Sequence, residues 1–261
     1  FEGVMLRKDT LKTFGSSADP QEIERFNRLA EEWWRPDGLF SVIHSFNAVR
    51  VQYLEKALPR LMGHPQEKGG SLSGLRLLDA GCGAGLVSEP MARLGAEVVG
   101  IDASEQNIKI ACRHAAMAGI DITYRHTLPE NLDPQKDGVF DIVLSLEVVE
   151  HVANLQTFLT ALCRLVKPQG FLVIGTLNRT PSSYIKAILG AEYILRLLPR
   201  GTHNWRKFVQ PEELDGLLKP LGFSRIENCG VTFHPILRDW KVTKDLSVNY
   251  LQLYEKKQDV S

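Results

Sequence analysis

The 261-residue chain lacks the features that announce several protein classes. It has four cysteines, Cys82, Cys112, Cys163 and Cys229, and no two form a CxxC pair. That argues against a zinc ribbon or a disulfide scaffold and makes a reducing compartment the default. There is no excess of either charge, since 31 Lys and Arg balance 31 Asp and Glu. A protein held on nucleic acid mainly through phosphates carries a basic excess, so no nucleic-acid partner is expected. No uncharged apolar run reaches the ~18 residues of a spanning helix. There is no internal repeat. The chain begins at Phe1, not Met, and is expected to be a trimmed form, a removed targeting leader being one reading of it. Residues 1–18 are polar and without clear period, and are expected to be loosely ordered.

What is present is enough to build a core. Hydrophobic residues make up 44% of the chain and charged residues 24%, which suits one large domain or one domain with additions. Residues 20–34 read as a helix, with Asp19 as N-cap, Pro20 at the first helical position, and Ile23, Phe26, Leu29, Ala30 and Trp33 at helical spacing. Residues 47–62 read as a second helix, and 64–73 as a linker rich in Gly, Ser and charge.

From residue 74 the pattern changes. Strands are expected at 75–79, 96–102, 122–126, 140–145 and 171–176. Helices fall between them at 87–94, 104–118 and 155–165. A helix at 211–221 and strands at 224–231 and 248–255 follow. Alternating strands and helices imply an α/β fold with a mostly parallel, Rossmann-like sheet and helices on both faces. An apolar helical insertion, residues 181–205, follows the fifth strand. The expected organisation is a flexible 1–18, N-terminal helices and linker over 19–73, and one catalytic domain over 74–261.

Asp79-Ala80-Gly81-Cys82-Gly83-Ala84-Gly85 joins the first strand to the first helix of that domain. Glycines let backbone approach a ligand closely and take positive φ. The next strand ends at Asp102, where an acid can accept hydrogen bonds from ribose hydroxyls. A dinucleotide fingerprint wants glycine at the first, third and sixth places. Here the sixth place is Leu86, and the third glycine comes one residue early. The loop therefore resembles that of Rossmann-like S-adenosylmethionine methyltransferases, with a nicotinamide dehydrogenase as the competing reading.

The fourth strand ends in Leu146-Glu147-Val148-Val149-Glu150-His151, at the sheet edge where ligands of parallel sheets bind. If the chain turns helically there, Glu147, Glu150 and His151 share one face. Two carboxylates and an imidazole can bind one divalent ion, Mg2+ or Mn2+ by their oxygens, Zn2+ or Co2+ by the His. The same spacing also suits a solvated face with a salt bridge, or His151 as a general base without metal.

Several segments together resemble the ubiquinone-biosynthesis O-methyltransferases. They are Phe26 with Trp33-Trp34, Asn47-Ala48-Val49-Arg50, the glycine loop, the Glu147–His151 run, Leu177-Asn178-Arg179-Thr180, Gly190-Ala191-Glu192-Tyr193-Ile194-Leu195-Arg196 and Gly201-Thr202-His203. The resemblance spans about residues 22–254. It implies an enzyme that carries a methyl group from S-adenosylmethionine to ring hydroxyls of a dihydroxy-polyprenylbenzoate or a demethylubiquinol. It assigns cofactor contacts to Arg50, Gly81, Asp102 and Leu146, with Asp79, Gly83 and Gly85 completing the loop. Arg50 would meet the methionine carboxylate. The metal ligands would be Glu147, Glu150 and His151, around Mg2+. Ala84, where some members carry glycine, and Gln169, within the usual Pro-Gly-Gly turn, are departures that remove no functional side chain.

The insertion holds Tyr184, Ile185, Ile188, Leu189, Ile194, Leu195, Leu197 and Leu198 beside Lys186, Arg196 and Arg200. It reads either as a helical cap packed inward or as a surface entering the membrane interface. The resemblance implies other ubiquinone-biosynthesis proteins as partners. It also implies a peripheral place on the matrix side of the mitochondrial inner membrane, or on the cytoplasmic membrane of a bacterium. A metal-free methyltransferase and a non-catalytic scaffold subunit are the alternatives; the intact glycine loop and acid set speak against the scaffold. Trp33 and Trp34 cannot both face a core, and a half-buried indole is the plainer expectation.

Overall fold

The structure is a computed structural model that describes residues 16–30, 33–34, 41–63, 72–183, 205–234 and 239–258. Most of the 181–205 insertion, the 1–15 terminus and most of the 64–73 linker lie outside the described residues. In chain order the elements are α1 (Pro20–Leu29), α2 (Ser41–Leu61), β1 (Arg76–Ala80), α3 (Ser88–Arg93), β2 (Glu97–Asp102), α4 (Glu105–Ala118), β3 (Thr123–His126), β4 (Phe140–Leu146), α5 (Leu155–Leu165), β5 (Val166–Leu177), the single turn α6 (Pro181–Ser183), α7 (Pro211–Leu218), β6 (Phe223–His234), β7 (Asp239–Thr243) and β8 (Asn249–Lys256).

The strands form one sheet in the order β3-β2-β1-β4-β5-β8-β6-β7. The first five are parallel neighbours, and β8, β6 and β7 join antiparallel. The reversal from β2 to β4 across β1 opens a crevice beyond the carboxyl ends of the strands, where ligands of such sheets bind. The expected seven strands are therefore eight. The extra one, β7, pairs only with β6 and is largely exposed, so it carries none of the continuous apolar signal of a buried strand.

Side chains alternate across each strand and split the core in two. Leu78, Val143, Leu172 and Ile174 face one cluster with α5 and α7. Leu77, Ile142, Leu144 and Val173 face the other with α2 and Met91 of α3. On α5, Leu155, Phe158, Leu159 and Leu162 recur at i, i+3, i+4 and i+7, and all are buried. That stripe presses the helix on the sheet; Leu159→Ala would cost about 2–5 kcal/mol.

Three boundaries differ from expectation for physical reasons. Helix α1 stops at Leu29, not residue 34, because the Trp33 indole N–H donates to Asn107 Oδ1 (3.1 Å) and that of Trp34 to the Ala84 carbonyl (3.0 Å). Both tryptophans are half-buried against Ala30, Ala84 and Ile110. Helix α2 starts at Ser41, not 47, and its added turn brings Phe46 against Trp240 of β7, 5.0 Å between rings. Strand β5 starts at Val166 and absorbs the expected turn as an irregularity, with Gln169 at φ 61. This is a left-handed conformation that glycine would take without cost.

Candidate active site

The glycine loop sits at the end of β1 as expected. Gly81, Gly83 and Gly85 have φ 82, 56 and 90. The backbone N–H groups of Gly81 and Cys82 both donate to the Ile101 carbonyl, at 2.7 and 2.9 Å, which ties the loop to β2. A Cβ on Gly81 would lie 2.3 Å from Val148 Cγ2, and one on Gly85 2.3 Å from the Tyr124 hydroxyl. Glycine is thus required by conformation and by space. Trp33 lies over Gly83, its ring 3.5 Å from where a Cβ would be.

Asp102 ends β2 and closes the loop. Its Oδ2 accepts from the Gly83 N–H at 2.9 Å, and its Oδ1 from the Ser104 N–H at 2.7 Å and from Asn107 Nδ2 at 3.3 Å. Burial raises its pKa. The acid expected to hold a ribose thus also fastens loop to strand. Asp79 is buried and accepts from Ser88 Oγ at 2.6 Å; desolvation raises its carboxyl to about 6.

The second constellation forms differently from its expectation. The run after β4 is a turn and not a helix: Glu147 has φ 58, and the His151 N–H donates to the Val148 carbonyl at 2.8 Å. A non-glycine residue held there is strained backbone, which proteins keep mainly at functional sites. Glu147 Oε1 meets Arg50 Nη1 at 2.6 Å. Arg50 is 3% exposed, lies 4.2 Å over the Phe46 ring, and is further held by Asn47 Oδ1. The guanidinium expected at a cofactor carboxylate is therefore paired with Glu147, and its Nε–H has no partner. Burial, and next the neighbouring Glu150, push the Glu147 carboxyl up to about 8, against the pull of Arg50.

Glu150 is 2% exposed. Its Oε2 accepts from Thr176 Oγ1 of β5 at 2.7 Å, and its Oε1 has no hydrogen-bond partner. His151 Nε2 lies 4.0 Å from that Oε1. On its other side His151 Nδ1 lies 3.2 Å from Glu22 Oε2 of α1. Glu22 is held down to about 2, first by the His151 hydrogen bond and then by charges that include Lys207. The site thus draws on Glu22, Lys207 and Thr176, none of which the sequence singled out. Leu146, the last residue of β4, precedes this turn and is buried.

Does this donor set fit a divalent ion? The buried Glu150 carboxyl with its orphaned Oε1, the partly exposed carboxyl of Glu147 beside it and an imidazole nitrogen facing it are chemically suited to one. Among the described residues, however, no three His, Cys, Asp or Glu side chains form a group arranged to hold a metal. Glu147 is turned toward Arg50 instead.

Residues 78–174 match the family described as "Methyltransferase domain". The ubiquinone biosynthesis O-methyltransferase of Brucella anthropi is 46% identical over 245 residues, covering 94% of this chain and 98% of that one. The same enzyme of Ruegeria pomeroyi is 47% identical over 237 residues, covering 90% and 95%. This chain belongs to the ubiquinone biosynthesis O-methyltransferase family. Magnesium protoporphyrin IX methyltransferase of Synechocystis, solved with bound S-adenosylhomocysteine, shares the fold with TM-score 0.62 and 20% identity, over 91% of this chain and 98% of that one. Membership makes the chain an S-adenosylmethionine-dependent O-methyltransferase of the ubiquinone pathway. Its glycine loop and Asp102 lie together at the carboxyl ends of β1 and β2, where the sequence led us to expect the cofactor. The family name by itself assigns no role to Glu147, Glu150 or His151.

Proposed function

We propose that the acceptors are polyprenylated catechol-type rings, a dihydroxy-polyprenylbenzoate and a demethylubiquinol, methylated with the help of a divalent ion, Mg2+. Glu147, Glu150 and His151 would hold that ion. The observation that carries this reading is the unsatisfied cluster beside the glycine loop. Glu150 Oε1 is buried without a partner, next to a Glu147 carboxyl raised to about 8. Buried polar atoms left unpaired cost free energy, and a bound cation is one remedy.

The sulfonium of S-adenosylmethionine already activates the methyl group. The protein must bring the acceptor oxygen in line with the methyl carbon and sulfur, and such positioning can supply much of the rate. The glycine loop, tied by Asp102 and covered by Trp33, fixes the donor end. A phenol of pKa near 10 is a poor nucleophile at neutral pH. Held by Glu147, Glu150 and His151, a divalent ion would supply the Lewis acidity that lowers that pKa. Arg50 offsets the charge of Glu147, and Thr176 fixes the Glu150 carboxyl. A ligating His cannot readily accept the proton as well, so His151 is assigned to the metal first. The metal-free reading, with His151 Nε2 as base, draws on the absence of a closed ligand group among the described residues.

The insertion at 181–205 is proposed to rest on a bilayer holding the polyprenyl tail, with Lys186, Arg196 and Arg200 near lipid phosphates. The protein would then be peripheral on the mitochondrial inner membrane, matrix side, or on a bacterial cytoplasmic membrane, alongside other ubiquinone-biosynthesis proteins. Among the described residues no helix is long and apolar enough to cross a membrane. Deleting the insertion should weaken flotation with anionic liposomes; unchanged flotation removes the membrane claim. The catalytic test is transfer from labelled S-adenosylmethionine to a short-chain dihydroxy-prenylbenzoate after EDTA, with and without Mg2+. Turnover only with metal is the expected result. Turnover indifferent to chelation discards the metal and leaves His151 as base.

A further inference from the structure

We propose that Glu22, on the N-terminal helix, is the positioning residue that orients His151 for its work on the acceptor. The inference rests on the reading that His151 acts at the acceptor side of the site, as ligand or as base.

Glu22 and His151 are 129 positions apart in sequence and meet only in the folded protein. The two side chains are 18% and 15% exposed, which shields their contact from water. Glu22 Oε2 lies 3.2 Å from His151 Nδ1. An ionised carboxylate can only accept, so in the neutral ring Nδ1 is the nitrogen that carries the proton and Nε2 the one with the lone pair. That lone pair is what a metal ligand needs, and equally what a general base needs. Nε2 faces Glu150 Oε1, 4.0 Å away.

Ring orientation is fixed by the same helix. Phe26, four residues after Glu22 and so one turn on, meets the His151 ring edge-on, with centroids 5.2 Å apart and planes at 89°. Glu22 is itself held from behind. Lys207 Nζ lies 3.3 Å from its Oε1 and 3.1 Å from Asp19 Oδ2, and Arg25 Nη1 lies 3.4 Å from its Oε2. A carboxylate on the far nitrogen of a working imidazole fixes its tautomer and raises its basicity, and loss of such a group costs about 10–100-fold in metal affinity or activity. Here that carboxylate comes from outside the sheet, on a helix docked over the site.

The test compares wild type with Glu22→Ala, Glu22→Gln, Asp19→Ala and His151→Ala. It uses steady-state methyl transfer to the short-chain dihydroxy-prenylbenzoate under the conditions best for wild type. Glu22→Ala should lower kcat by about 10–100-fold with KM for S-adenosylmethionine within about twofold. Glu22→Gln keeps the shape but can offer its amide N–H to Nδ1 as well as its oxygen, so its kcat should stay below wild type and not below that of Glu22→Ala. Asp19→Ala removes the α1 cap and one partner of Lys207 without touching His151, and should fall clearly less than Glu22→Ala. The second readout is the ring 15N spectrum of histidine-labelled protein with S-adenosylhomocysteine, under mildly alkaline conditions, with the His151 signals assigned by their loss in His151→Ala. Wild type should show protonated Nδ1 and unprotonated Nε2, and Glu22→Ala a mixture. Three results would overturn the proposal: an unchanged ring spectrum in Glu22→Ala, kcat retained there while His151→Ala loses it, or Asp19→Ala falling as far as Glu22→Ala. Full activity in His151→Ala would remove the reading of His151 itself and this inference with it.

Discussion

The two halves of the site solve their polar problem in opposite ways. In the donor half, main-chain groups and one acid satisfy each other: Gly81 and Cys82 bond to Ile101, and Gly83 and Ser104 bond to Asp102. Positive φ is taken there by glycines. In the acceptor half, Arg50 Nε and Glu150 Oε1 are buried without partners, and positive φ falls on Glu147. The glycine-loop half ties two segments, 81–83 and 101–104, by main-chain bonds and one acid, and leaves the Tyr124 hydroxyl beside Gly85 unpartnered. The half around Glu147 holds strained backbone and unpaired groups, and under the proposed function it is completed by what it binds. Satisfied networks rigidify, whereas partly satisfied ones hold free energy that a ligand can release.

The largest expected effect tests that division directly. Glu147→Ala or His151→Ala should cut metal-stimulated turnover by about 100-fold or more while leaving S-adenosylhomocysteine affinity within about threefold, as calorimetry would read it. Equal losses of affinity and turnover would mean the halves are not separate. The converse change is Gly81→Ala, whose Cβ would meet Val148 at 2.3 Å from a φ of 82. It should weaken cofactor binding by about 10-fold, equivalent to the 1–3 kcal/mol of an overpacked site. An unaltered Kd would show that the loop yields more than its contacts imply.

A smaller effect concerns Asp79, which lies at the donor end. Its carboxyl is near 3.8 when exposed and about 6 when folded. Between those values the unfolded chain has lost its proton and the folded chain still holds it. Stability from this group is therefore present at low pH and is lost as pH rises through about 6, by on the order of 3 kcal/mol. Asp79→Asn keeps an acceptor for Ser88 and should remove that component. The difference between wild-type and variant unfolding curves, followed from pH 4 to 7 without cofactor, is the measurement; a flat difference contradicts the raised pKa.

Legibility follows the same line. The positions of the glycine loop, Asp79 and Asp102 were readable because each is set by neighbours close in sequence or by the end of a strand. The parallel order of β1 to β5 followed from the alternation of strands and helices. Strand β7 escaped because Asp239-Trp240-Lys241-Val242-Thr243 is a half-exposed edge with little apolar signal. The Glu147–His151 spacing suggested a helical face, and the chain makes a turn instead. Spacing alone does not report that φ at Glu147 is positive. Glu22, Lys207 and Thr176 were missed because their meaning is purely tertiary: each is a polar residue until the fold sets it beside His151 or Glu150.

The sequence by itself determined the α/β class, the place of the glycine loop and the family, since each rests on local periodicity, glycine placement or similarity along the chain. Only the tertiary structure decided that Arg50 lies on Glu147, that Glu150 keeps a bare oxygen, and that a helix more than a hundred residues upstream holds His151. The physical reason is burial. Low dielectric turns a charge, a lone pair or a missing partner into a large free-energy term, and burial is a property of the folded chain.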